Sequence, residues 1–194
     1  MQFLDISHDQ QTTYRLTENE QRVFFLLNRS GEITFELSGR NARAYIFAFF
    51  LGKDKQHYTL NLIQKHIARE TLSQAIIKST LADVSSLEYH GTVIIGKEAH
   101  QSDASQESRT LLLSEEASVV TQPNLEILAH DVRCHHAATT SPLNTDQVFY
   151  AKSRGLSDRE ARSVLTDGFL AETLEKMSIL GVDTTPLRHT LIKN

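Results

Sequence analysis

Short runs that alternate apolar and polar residues fill the first two-thirds of the chain. Glu32–Ser38 is the clearest: Ile33, Phe35 and Leu37 fall on one side, and Glu32, Thr34, Glu36 and Ser38 on the other. A period of two is the signature of a half-buried strand. Arg22–Asn28, Ala44–Leu51 and Tyr58–Ile63 are similar runs rich in Phe, Ile, Tyr and Thr. The turn-forming tetrads Asn-Arg-Ser-Gly, Ser-Gly-Arg-Asn and Gly-Lys-Asp-Lys separate them. Further strands are predicted at Ala75–Lys78, Ser86–Tyr89, Thr92–Ile95, Arg109–Leu113 and Leu125–Leu128. The polar stretch His100–Ser108 suits a corner between stacked strands and equally an exposed loop. Many short strands without helical crossovers fit a sandwich, a barrel or a β-solenoid, and no strict repeat selects among them.

The pattern changes after Asn144. Asn144 with Gln147, and Ser157 with Glu160, are two helix starts with N-cap and N3 residues in place. Gly155 and Gly181 are the matching stops, so the second helix is predicted to run to about Ile179. Thr185–Lys193 is predicted as a last short helix behind Pro186. In the second helix Ala161, Val164, Leu165, Phe169, Leu170, Leu174 and Met177 form a broad apolar stripe. Such a stripe either faces the core or receives a partner. The reading is thus residues 1–141 as a β domain and 142–194 as a small helical region.

Composition narrows the classes. Hydrophobic residues make up 40% and charged residues 23%, as in ordinary globular domains. A net charge of −4 argues against a general nucleic-acid binder. No apolar run nears the ~20 residues of a membrane span. Met1–Gln10 lacks the basic and apolar segments of a secretory signal. One cysteine forms no intramolecular disulfide, so a reduced thiol and a cytoplasmic location are expected.

That cysteine carries the candidate chemistry. If Leu125–His136 is extended, His130, Val132, Cys134 and His136 share one face, and Asp131, Arg133 and His135 the other. Thiolate and imidazole suit an iron–sulfur cluster or zinc. The pair is incomplete, since a closed zinc site needs four ligands and no CxxC or HExxH pattern supplies them. A second chain or an exogenous ligand would complete it. The plainer reading is a small buried thiol beside a surface imidazole. Nucleophilic catalysis is disfavoured, because neighbours in one strand point in parallel. No Gly-rich phosphate loop is present, so no bound nucleotide is expected.

Several segments in order resemble one family. Gln101–Ser108, Leu111–Leu113, Ala117 and Pro123–Ile127 are similar to the final rungs of the SufB/SufD scaffold proteins of the Suf iron–sulfur cluster assembly system. Val132-x-Cys134-x-His136-x-Ala138-Thr139 resembles the SufD-type Cys-Ser-His-Gly-Ala-Thr pattern and the SufB-type Glu-His-Glu-Ala-Thr-Thr-Ser pattern. Phe149-Tyr150, Ser153–Ser157, Glu160-Ala161 and Gly168-Phe169 resemble the helical signature that follows. The resemblance covers roughly the second half of the chain.

It implies a right-handed parallel β-helix followed by a small helical region. It implies a non-enzymatic cytosolic scaffold that carries a transient iron–sulfur cluster. It also implies pairing with a second scaffold chain, as a homodimer or a SufB/SufD-like heterodimer, and docking of a Suf-type ABC ATPase on the C-terminal helices. Cys134 and His136 are the candidate cluster ligands, with His135 and His130 secondary. Val148, Phe149, Tyr150, Arg154, Val164, Leu165 and Phe169 are the candidate docking residues. Ala137 stands where the SufB-type pattern has an acidic residue, and the chain is expected to be a short, divergent member. The alternative is a SufD-like interaction module that organises the ATPase complex without holding a cluster.

Overall fold

The computed structural model describes residues 1–192. Eleven strands come first: β1 Gln2–Asp5, β2 Thr13–Leu16, β3 Gln21–Leu27, β4 Gly31–Leu37, β5 Arg43–Gly52, β6 His57–His66, β7 Leu72–Leu81, β8 Ser86–Ile95, β9 Asp103–Leu112, β10 Ser118–Ile127 and β11 Arg133–Pro142. Three helices follow: α1 Thr145–Ser153, α2 Asp158–Ile179 and α3 Thr185–Leu191. Odd strands form one sheet in the order β1-β3-β5-β7-β9-β11, and even strands a second in the order β10-β8-β6-β4-β2. All pairings are parallel. The chain therefore winds as a β-solenoid, alternating between two facing sheets, which decides among the three architectures left open by the strand pattern.

The corners explain why no repeat is visible. Asn19, Asn41, Glu70 and Gln101 each lie two residues before an odd strand and have φ between 58° and 61°. The left-handed turn lets each backbone N–H reach the next corner: Asn19 to the Arg40 carbonyl at 2.9 Å, Glu70 to His100 at 2.8 Å and Gln101 to Asp131 at 2.6 Å. For Glu and Gln this conformation costs about 1 kcal/mol, and the ladder of bonds offsets it. The recurring element is a backbone geometry rather than a residue type.

Inward-facing side chains fill the space between the sheets. Near the N-terminal end they are aromatic: Phe24 packs on Phe35 at 4.8 Å between ring centroids, Tyr14 on Phe24 at 5.3 Å and Phe50 on Tyr58 at 5.4 Å. Three strand predictions needed correction. Ser86–Tyr89 and Thr92–Ile95 are one strand, β8, because Gly91 serves interior packing and is not a turn. Asp103–Ser108 belongs to β9, since Ala104, Gln106 and Ser108 point inward and are buried. The short strands β1 and β2 were not anticipated.

The outer faces differ. On the odd sheet Val23, Phe25, Phe47, Phe49 and Ile76 form an apolar surface covered by Leu170, Leu174, Met177, Val182, Leu187 and Leu191 of the helical region. Both predicted caps form. Asn144 accepts from the Asp146 and Gln147 amides, and Ser157 with Glu160 makes a reciprocal capping box. Gly155 and Gly181 adopt positive φ just beyond α1 and α2. Lys193, the predicted end of the last helix, lies outside the described residues.

Candidate functional site

β10 and β11 are the last strands of their sheets, so both edges lie at one end of the solenoid. Register fixes which way their side chains point. Cys134 pairs with Ala104 and His136 with Gln106, and both partners are buried between the sheets. Cys134 and His136 therefore stand on the inward row, two residues apart, as the alternation predicted. Cys134 packs against Val93, Ile95, Ala99, Ala104 and Ala129. Burial pushes its thiol above the ordinary range, and the nearby Asp103 carboxylate adds to that.

His135 faces the other way. It pairs with Ser105 and lines an outer cleft of about 320 Å³ with Gln74, Glu107 and Arg109. His130 corrects the sequence reading. The chain is not extended from Leu125 to His136; it turns a corner between Ile127 and Arg133. His130 is exposed on that corner, so strand alternation does not place it beside Cys134.

Among the described residues no further rung covers the last one. In the row above the buried Val93 and Ile95, Leu125 is 39% and Ile127 41% exposed. His136 is exposed and Cys134 half-buried. Pro123 interrupts the edge of β10, whereas β11 has no proline before Pro142.

The interior beneath is polar. His66 is fully buried, bonded through Nδ1 to Thr71 Oγ1 and through Nε2 to Ser73 Oγ, both at 2.7 Å. Gln64 donates to Ser73 Oγ at 2.6 Å, and Gln106 donates to Gln64 Oε1 at 3.1 Å. Burial lowers the His66 pKa to about 4, so the ring is neutral at pH 7. Sequence reasoning missed these residues. The signal was present: Gln64 and His66 continue the inward alternation of Leu60 and Leu62.

Among the described residues no group of three or more His, Cys, Asp or Glu side chains is arranged to hold a metal ion. Cys134 and His136 are two donor groups of the kind that hold such clusters, fewer than the four a cluster takes.

The helical candidates divide. Phe149 (74% exposed), Tyr150, Arg154 and Val164 (56% exposed) are on the surface, and Leu165 is half-buried. Val148 is buried, so it does not lie on the exposed surface that its reading as a docking contact requires. Phe169 is half-buried, and its ring lies 3.9 Å from the buried Lys78 ammonium, which also pairs with Glu172 at 2.8 Å. The apolar stripe is thus mainly a packing surface around Leu170, Leu174 and Met177, with Val164 left outside. No described helix is long and apolar enough to cross a membrane.

A two-sheet parallel solenoid with an open last rung, a Cys-x-His pair on its inner row and helices folded back on one sheet defines the class of protein. Residues 27–169 match the family described as SUF system FeS cluster assembly, SufBD core domain, and the chain belongs to that family. The match reaches well upstream of the segments from which the resemblance was read. The chain is 38% identical over 123 residues to an iron–sulfur cluster assembly SufBD family protein of Synechocystis, covering 63% of this chain and 26% of that protein. It is 31% identical over 105 residues to the iron–sulfur cluster assembly protein SufD of Escherichia coli, covering 54% and 25%. To SufB of Bacillus subtilis it is 30% identical over 134 residues, covering 69% and 29%. The chain thus spans roughly a quarter of the length of these relatives.

Proposed function

We propose that this chain is a non-enzymatic scaffold subunit for iron–sulfur cluster assembly, pairing with a second scaffold chain across the β10–β11 end. The observation that carries the reading is the uncovered inner row of the last rung. Leu125 and Ile127 leave apolar surface in water, and β11 offers a free strand edge, which proteins ordinarily cover or pair. Cys134 and His136 lie on the same row. A second chain seated there would cover the apolar residues and bring further ligands to a nascent cluster, which is cargo and not a resident cofactor. The Suf-type ABC ATPase would dock on the exposed helical residues Phe149, Tyr150 and Val164.

The test is anaerobic reconstitution with iron and sulfide. Air-sensitive visible absorbance is expected, lost in His136→Ala and in Cys134→Ala. Variants that reconstitute like the wild type would remove the site assignment. A second reading is an interaction module that organises the ATPase complex without holding a cluster; it is favoured by the donor set, since the described residues bring together no group of three or more metal-binding side chains. ATPase binding without any bound iron would select it.

A further inference from the structure

Gln106 sits one rung below His136, opposite it in the β9–β11 ladder and on the same inward row. It is 2% exposed. Its amide nitrogen is committed across the interior to Gln64 Oε1, and Gln64 is itself held by Ser73. That fixes which way the amide faces. Its carbonyl oxygen, Oε1, is buried and has no hydrogen-bond partner. The oxygen lies over Gly91 on the opposite sheet, where a Cβ would collide with it and with the Tyr89 hydroxyl. A buried acceptor left unmet is unfavourable, and native proteins seldom keep one without a use.

The donor that fits is on the next rung. A neutral imidazole carries one N–H and one lone pair, and His136 makes no side-chain hydrogen bond among the described residues. Neighbours in a parallel ladder lie about 4.8 Å apart, which is within the span of an imidazole turned inward over the side chain beneath it. Histidines that bind a metal through one ring nitrogen donate from the other to a carbonyl or carboxylate, and this fixes tautomer and ring orientation.

We infer that Gln106 is the positioning residue of His136: its carbonyl oxygen accepts one imidazole N–H and leaves the other nitrogen, with its lone pair, facing the open end. The inference rests on His136 being a cluster ligand. It adds that the polar interior beneath the last rung orients that ligand before any cargo arrives. Gln64 holds Gln106, Ser73 holds Gln64, and His66 holds Ser73. Tyr89, whose hydroxyl is also buried without a partner, is the competing donor to the same oxygen.

Imidazole ¹⁵N spectra of the cluster-free chain at pH 8, above the ordinary histidine range, test this directly. In the wild type, His136 should show two well-separated ring-nitrogen shifts, the mark of a single tautomer. His135, on the outer face of the same strand, should show averaged shifts. Gln106→Met should average the His136 shifts, Gln106→Glu should keep them separated, and Tyr89→Phe should leave them unchanged. An averaged His136 in the wild type, or one indifferent to Gln106→Met, overturns the inference. The wild-type spectrum decides even if Gln106→Met folds poorly. Iron retained by His136→Ala would instead remove the cluster reading and leave the tautomer result standing.

Discussion

The two ends of the solenoid are built on opposite principles. At the first rungs the inner row is closed: Ile6, Tyr14 and Leu16 are buried, aromatic rings fill the space, and the Arg29 guanidinium bonds the Ile6 carbonyl, the Tyr14 hydroxyl and the Gln11 carbonyl. At the last rung the inner row is open, and the layers under it hold Gln64, His66, Ser73, Gln106, Ser108 and Thr110 beside a smaller apolar cluster of Val93, Ile95 and Ala104. A closed end needs only to exclude water. A polar, fully buried interior is costly unless its groups are satisfied, so its placement beneath an uncovered Cys-x-His pair ties the fold to the site.

That contrast sets the order of expected effects. Phe35→Ala at the closed end should be the most damaging, costing about 3–5 kcal/mol in urea unfolding. The polar layer should respond to acid. Burial holds the His66 pKa at about 4, below the ordinary 6.5, so the unfolded chain binds the proton more readily. Its contribution is complete above pH 6.5 and lost as pH falls toward 4, by about 3 kcal/mol. Unfolding midpoints measured across that window check the slope. Gly91→Ala, which collides with Tyr89 and Gln106, should cost about 1–3 kcal/mol. The smallest effect on stability is expected at the open end. His136→Ala should cost about 1 kcal/mol, because the Gln106 acceptor beneath it loses its donor, while abolishing cluster absorbance. Similar destabilisation by Phe35→Ala and His136→Ala would erase the distinction between the ends.

The same contrast explains what was legible in the sequence. Strands with apolar inner rows, such as Glu32–Ser38, declared themselves by alternation, and Asn144 and Ser157 announced both helices through local cap chemistry. Strands with polar inner rows did not. Asp103–Ser108 read as a corner or an exposed loop because its inward residues are Ala, Gln and Ser, and Gly91 read as a break because its reason for being Gly lies on two other residues. Corner residues such as Glu70 and Gln101 carry no turn signal, so the winding stayed hidden. At the site, alternation placed Cys134, His136 and His135 correctly, and failed for His130 once a corner intervened. Which face of α2 was free depended on Lys78, a residue of a distant strand, and no local pattern could show that Phe169 packs on it.

Native mass spectrometry of the anaerobically reconstituted chain tests the central claim most directly, because it reads chain number and bound iron in one species. Iron and sulfide should appear only in assemblies of two chains, and should disappear with His136→Ala. Iron held by single chains, or iron that persists in that variant, would contradict the account.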